Sequence, residues 1–376
     1  MSIVIPVRDE ALHLEKSLAS FSKQVDLRGK TLNPDLFEII VLTNNCSDNS
    51  FEIAGKFQAD NESLNLHIAD IKTSKTNANS GFIRGLLMQK AHERLISNSK
   101  NGGIIMTTDG DTQVSTDWIA ANIFEIKNGA DAVGGRILFN SEELAKMNSS
   151  ARRFHLIDEK YRLLSAELES NLDYLSHDSL PRHHQHFNGS FAVTTDAYRK
   201  AGGIPDVRFL EDVAFYQSLL RIDAKFRHSL LVKVYTSSRE TGRAEAGLST
   251  QINDWINLGK TGADFLVDSA ETLEKRFRFQ GRLRFARKNI QSGIKPKTSE
   301  IKALAGSFDI SFKDLKEELF KPQTFGLLLE NVYRLKDKTN NFVKNAPPVS
   351  IEKAVFDLEN KLGNFRRKKI ASVSAN

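Results

Sequence analysis

The feature that most constrains this chain is the regular alternation, over its first 135 residues, of short apolar runs with helix-patterned segments. The runs Ser2–Val7, Phe37–Leu42, Leu66–Ala69 and Gly103–Met106 are too short for stable helices and read as buried strands. Between them, apolar residues recur at helical spacing. Glu10–Phe21 places Leu12, Leu14, Leu18 and Phe21 on one side. Phe51–Phe57 follows a polar turn at Asn44–Ser50. Gly81–Ile96 and Trp118–Ile126 complete the set, and Ala132–Val133 begins another strand. Parallel strands need such crossover helices, so the pattern predicts an α/β fold with a mostly parallel sheet covered by helices.

From about residue 140 to 185 the pattern becomes helical and highly charged, and Phe187–Thr194 and Leu230–Ser237 read as further strands. Beyond Asp254 strand signals fade, and the remainder reads as helical, punctuated by Pro296, Pro322 and Pro347-Pro348. The expected division is an α/β domain over 1–256 and a basic, mainly helical C-terminal region over 257–376. Charge supports it. Residues 1–256 carry 29 Lys+Arg against 33 Asp+Glu, whereas residues 257–376 carry 24 against 14. An apolar content of 40% is enough for a sizeable core and argues against wholesale disorder. No stretch approaches the about 20 apolar residues of a membrane span, and MSIVIPVRDE lacks the pattern of a secretory signal. A single cysteine, Cys46, cannot form an internal disulfide, so a cytoplasmic setting is expected.

In open parallel sheets, ligands bind at the carboxyl ends of the strands. Polar residues follow the expected strands four times: Arg8-Asp9-Glu10, Asn44–Asp48, Lys72–Asn79 and Asp109-Gly110-Asp111. The last is the sharpest. Two carboxylates at i and i+2 on a turn can converge on one hard cation, and Gly110 lets the backbone come close. The competing reading is a turn that caps the helix before Trp118.

Taken in order, IVIPVRDE, NNCSD, TTDGDT and FLEDVAF resemble the motifs of family 2 glycosyltransferases with the GT-A fold, over roughly Ser2 to Trp255. The resemblance implies a metal-dependent, inverting transfer of a sugar from a nucleoside diphosphate sugar to an acceptor hydroxyl, with Mn²⁺ or Mg²⁺ as cofactor. Pro6, Arg8 and Glu10 match the segment that lines the nucleotide base pocket, with Asp9 where Asn is common. Asn45-Cys46-Ser47-Asp48 stands in for the loop that holds the base. The resemblance favours a UDP-sugar, but this loop is one residue shorter and has Asn for the leading Asp, which leaves the base open. Arg84 matches an Arg close to the nucleotide; its alternative is a surface helix charge. Gly189 lies in the small-residue loop that supports donor sugar and acceptor, or marks a strand bulge. Asp111 is implied as the direct metal ligand, and Asp109 as a ligand of the metal or ribose. Glu211-Asp212 matches the acidic pair near the acceptor, with Asp212 as general base and Glu211 beside it, although paired acids also suit a helix N-terminus.

His183, His184 and His186 have neither zinc-finger spacing nor a nearby Cys, and are expected in a phosphate- or acceptor-facing loop. His228 is expected to be structural, with the pyrophosphate or metal as its alternative role. Ser237–Arg243 reads as a lid whose arginines neutralise a leaving diphosphate. Asp254-Trp255 has no adjacent Arg of the kind found in processive relatives. In the basic tail, Phe279, Leu283, Ala286 and Ile290 form a helical stripe flanked by Lys275, Arg276, Arg282 and Arg287. It either lies on an anionic membrane surface, at the inner face of a membrane, or packs on the catalytic domain. Arg366-Arg367-Lys368-Lys369 reads as a solvated run. No nucleic-acid partner is expected. Two other functions compete with this reading. A nucleotidyltransferase would carry a glycine-rich loop after the first strand, and none is present. A catalytically weak nucleotide-sugar-binding or scaffold subunit is the alternative that the loop substitutions leave open.

Overall fold

The computed structural model describes residues 1–74, 79–99, 102–242, 247–337 and 347–374. Eight strands form one sheet: β1 (Ser2–Val7), β2 (Glu38–Asn44), β3 (Leu66–Ile71), β4 (Ile104–Thr108), β5 (Gln113–Val114), β6 (Ala132–Leu138), β7 (Ser190–Thr194) and β8 (Phe226–Tyr235). Their order is β3-β2-β1-β4-β7-β6-β8-β5. The pairs β1–β2, β2–β3, β1–β4 and β6–β8 are parallel; β4–β7, β6–β7 and β5–β8 are antiparallel. The expected class, a mostly parallel α/β sheet with a helical C-terminal region, is the one adopted. Val7 pairs with Thr43, and Val4 with Thr107, so β1, β2 and β4 release their chains toward the same edge.

Burial follows the apolar pattern. Ile3, Ile5, Ile39, Val41 and Met106 are almost fully buried with Leu14, Leu18 and Phe21, and Phe21 meets Trp118 edge to face at 6.2 Å. Removing each such side chain from water contributes about 1.5–3 kcal/mol. The first helix is shorter than expected. It runs Leu14–Ala19, and Leu12, expected on the buried side, is 88% exposed because it lies in the turn before the helix. The next long helix, Ser80–Asn98, starts where Asn79 Oδ1 accepts from Phe82 N at 2.8 Å. β5 was not foreseen, since two residues show no periodicity.

Two compact units result. The first comprises 1–148, 185–220 and 224–254; the second comprises 149–184, 221–223 and 255–376. The last crossing between the units falls after Asp254. The helix Ser149–Leu172, however, groups with the second unit rather than with the α/β domain. Its Tyr161, Leu164 and Leu168 pack in one cluster with Leu273, Phe277, Ala354 and Leu358. The second unit also pairs β9 (Leu266–Val267) with β10 (Val349–Ser350), antiparallel.

Within this unit the basic tail's apolar stripe lies in a core of its own. Phe279 and Leu283 are buried with Ile301, Leu304, Phe308, Leu315 and Leu319, and Ala286 and Ile290 pack against them. Phe279 stacks on Phe308 at 4.0 Å. The stripe expected on a lipid surface or on the catalytic domain is therefore taken up by the unit's own helices. Arg287, expected to flank it in solvent, is 5% exposed and donates to the Leu319 carbonyl at 2.9 Å and to that of Gln323. Among the described residues no helix is long and apolar enough to cross a membrane.

Candidate functional site

The loops after β1 and β2 are locked together. Asp9 and Asn45 both have left-handed backbones, φ 52° and 50°, a conformation that Asn and Asp tolerate better than most residues. Asp9 Oδ1 accepts from Ser47 N at 2.6 Å and Ser47 Oγ at 3.0 Å. Asp48 accepts from Ala11 N at 3.0 Å and from Ser50 Oγ at 2.6 Å, and Ser50 Oγ accepts from Glu10 N at 2.8 Å. Asn45 is paired with Thr73: its Nδ2 donates to the carbonyl at 2.9 Å and its Oδ1 accepts from the amide at 2.7 Å. Asp48 and Asn45, expected at the nucleotide, thus hold the loop framework. Arg8 is exposed and Pro6 half-buried in β1. Of the third polar loop, residues 75–78 lie outside the described residues.

Inside this frame lies an acidic centre. Glu10 is 7% exposed and the Asp111 side chain 11%, while Asp109 is open at 43%. Gly110 allows the crowding: a Cβ there would stand 3.1 Å from Val7 Cγ2 and 3.2 Å from Glu10 Cγ. Burial first, then the charge of Asp109, pushes the Asp111 carboxyl up to about 6, against the pull of Arg239. Arg239 forms a two-pronged pair with Glu10, at 2.6 and 2.7 Å, and its Nη2 lies 2.9 Å from Asp111 Oδ2.

Arg84, weighed as a surface charge, is 4% exposed. Its Nη2 donates to Asp109 Oδ1 at 2.5 Å, its Nη1 to Thr107 Oγ1, and its Nε lies 3.9 Å from Glu211 Oε1. One guanidinium therefore joins the end of β4 to the helix Glu211–Arg221. That helix begins after Leu210, whose φ of 56° is strained for a bulky residue. Glu211 packs tightly, since a Cβ on Gly81 would meet its Cβ at 2.9 Å. Asp212 Oδ1 accepts from Val213 N at 2.8 Å, and its carboxyl is raised by burial and then by Glu211.

Gly189 reaches the same centre. Thr108 Oγ1 donates to its carbonyl at 2.8 Å, and a Cβ on it would lie 2.9 Å from Asp109 Oδ2. Its neighbour Asn188, which no sequence motif singles out, is 2% exposed, and among the described residues neither of its side-chain polar atoms has a hydrogen-bond partner. Its only sequence signal was adjacency to Gly189.

Among the described residues no histidine belongs to a group of three gathered metal ligands. His186 stacks on Tyr216 at 4.1 Å, and Tyr216 packs edge-on against Phe226 and His228. His183 and His184 meet edge to face. Among the described residues one group of three ligand atoms gathers, from Asp9, Cys46 and Asp48. Two of its members are the carboxylates that bond the loop framework. Glu10, Asp109 and Asp111 match a divalent cation by donor chemistry: they offer the hard oxygens that Mg²⁺ and Mn²⁺ take, and a guanidinium already balances two of them. Arg243, the second arginine of the expected lid, lies outside the described residues.

Residues 2–187 match the family described as Glycosyl transferase family 2. The chain is 26% identical over 140 residues to glycosyltransferase AglE of Haloferax volcanii, a match covering 37% of this chain and 40% of that protein. It therefore spans well under two thirds of that relative. Among solved structures it is similar to S. aureus TarS in complex with UDP, at 15% identity and TM-score 0.45, covering 91% of this chain and 90% of that one. It is also similar to the mannosyltransferase PcManGT from Pyrobaculum calidifontis in complex with GDP-Man and Mn2+, at 14% identity and TM-score 0.45, covering 90% and 74%.

Proposed function

The chain belongs to glycosyl transferase family 2 over residues 2–187, and on that premise we propose that it moves a sugar from a nucleoside diphosphate sugar to an acceptor hydroxyl, with divalent metal and with inversion. The observation that carries this reading is that one buried arginine, Arg84, lies between Asp109 of the acidic centre and Glu211, the residue next to Asp212. Asp111 and Asp109 would hold the ion, with Glu10 beside them. A bound Mn²⁺ or Mg²⁺ supplies positive charge opposite the diphosphate leaving group. Gly189 leaves room beside Asp109 for the donor. Asp212 takes the proton of the acceptor hydroxyl; its raised pKa makes it a better base than an ordinary carboxylate. Glu211, whose Oε1 lies 3.9 Å from Arg84 Nε, adds a charge contact beside Asp212.

A thermal-shift screen of UDP-, GDP- and dTDP-sugars with Mn²⁺ tests the reading, UDP-sugars first. A donor at 100 times its dissociation constant adds about 2.7 kcal/mol of stability. No shift with any of them would remove the proposal, and product NMR would decide inversion. The exposed Lys275, Arg282 and Lys288 supply positive charge along the helix Ala270–Gln291 that would suit an anionic membrane surface. Salt-reversible sedimentation with phosphatidylserine vesicles would support that contact, and absence of sedimentation at low salt would end it.

A further inference from the structure

Five charged groups meet at the acidic centre: the carboxylates of Glu10, Asp109 and Asp111 and the guanidiniums of Arg84 and Arg239. The two arginines differ. Arg84 is 4% exposed and fixed by Thr107, Asp109 and the Thr108 carbonyl, so it belongs to the frame. The Arg239 side chain is 27% exposed, and the groups it bonds here are Glu10 and Asp111.

The chain holds Arg239 from both sides. Ser238 N and Oγ each donate to Glu143 Oε2 at 2.8 Å, and Asn253 Nδ2 donates to the Glu240 carbonyl at 2.7 Å. Thr236 is tied to the sheet through Leu138 and Thr112. With its neighbours pinned, what can move at residue 239 is the side chain. Its guanidinium sits on the oxygens that a hard divalent ion would need, and a cation at Asp111 Oδ2 would meet the like charge of Arg239 2.9 Å from that oxygen.

We propose that Arg239 is an internal competitor for the cation site: it neutralises Glu10 and Asp111 in the metal-free protein, yields them to the divalent ion, and turns to the diphosphate of the incoming nucleotide. The last step rests on the glycosyltransferase reading; the competition with metal does not. Until metal arrives, the acidic centre is held together by the arginine. The same arginine then becomes available to the leaving group.

Mn²⁺ binding to the full chain without nucleotide, read by electron paramagnetic resonance of free Mn²⁺ and by calorimetry, tests the competition. Arg239→Gln should bind Mn²⁺ at least about tenfold more tightly than wild type, because no guanidinium has to leave. Arg239→Lys, a compact charge without the two-pronged fork, should fall between them. Should the Gln variant fail to fold, the Lys variant still decides: binding several-fold tighter than wild type supports the proposal. Equal or weaker Mn²⁺ binding by the folded variants overturns it, as does absence of Mn²⁺ binding in all three proteins. Saturating UDP should tighten Mn²⁺ binding more in wild type than in Arg239→Gln, and equal tightening overturns the turn to the diphosphate. These readouts need no sugar transfer, so an inactive transferase would leave the competition result intact.

Discussion

Arg84 Nη2 lies 2.5 Å from Asp109 Oδ1, a bond between a side chain that is 4% exposed and one that is 43% exposed. The buried partner is the fixed one, so Asp109 is aimed by Arg84. Arg84→Lys keeps the charge but cannot reach Thr107, Asp109 and Glu211 together. It should cost about 1.5–3 kcal/mol in denaturant unfolding, the range for lost bonds to charged groups. The donor-dependent rise in melting temperature should shrink with it. An unchanged donor response would leave Arg84 as scaffold alone.

Gly189 stands against the other oxygen of Asp109. A methyl there would lie 2.9 Å from Asp109 Oδ2 and from Ile137 Cδ1, closer than real Cβ contacts. Gly189→Ala should displace Asp109 and weaken donor and metal binding by tenfold or more, an energy of about 1.4 kcal/mol. Calorimetric titration with Mn²⁺ and donor checks this, and wild-type affinity would show that the loop gives way freely.

Asp111 has a pH signature. Its carboxyl titrates at about 6 in the folded chain against 3.8 ordinarily, so the folded state binds the proton more tightly. The folded protein therefore loses stability as pH rises from about 4 through 6, the sign opposite to that of a salt-bridged acid. Asp111→Asn should gain melting temperature relative to wild type at pH 7.5 without metal, and gain little at pH 4. It should also lose metal-dependent stabilisation by the donor. Retention of that metal dependence would misplace the ion.

Asp212→Asn keeps the shape of the side chain but cannot accept a proton. Turnover should fall by about 10²–10⁴-fold with donor and metal affinity retained. Because burial and Glu211 raise the Asp212 carboxyl above 3.8, kcat/KM in wild type should decline on the acid side at a pH above that of an ordinary aspartate. Glu211→Gln should be milder in turnover. Wild-type turnover of Asp212→Asn would assign the base elsewhere, with Glu211 the first to examine.

Leu283 reports on the basic tail. It is fully buried among Ile301, Leu304 and Leu315, so Leu283→Ala should destabilise the chain by about 2–5 kcal/mol in denaturant unfolding. A stripe lying in a lipid interface would lose far less in solution, and a negligible change would reinstate that reading.

The sequence by itself determined the main strands and helices of the first 135 residues, β5 and the exact start of the first helix apart, and the acids at their ends. Ser2–Val7 is β1 as read, and Asp109-Gly110-Asp111 follows β4, because backbone period and turn chemistry are local properties written within a few residues. Tertiary structure decided which of those residues meet. Glu10 and Arg239 are 229 positions apart, and no spacing rule joins them. Arg84 reads as an ordinary helix cation until the helix Ser80–Asn98 packs it beneath Asp109. Asn45 and Asp48 carry the composition of ligand-binding residues, yet the fold turns them onto Thr73 and Ser50, whose backbone and hydroxyl groups need partners once they leave water. The stripe of Phe279 and Leu283 offered lipid or protein equally. Burial against Ile301 and Phe308 removed it from water, and amphipathic pattern alone does not say which apolar surface will do that.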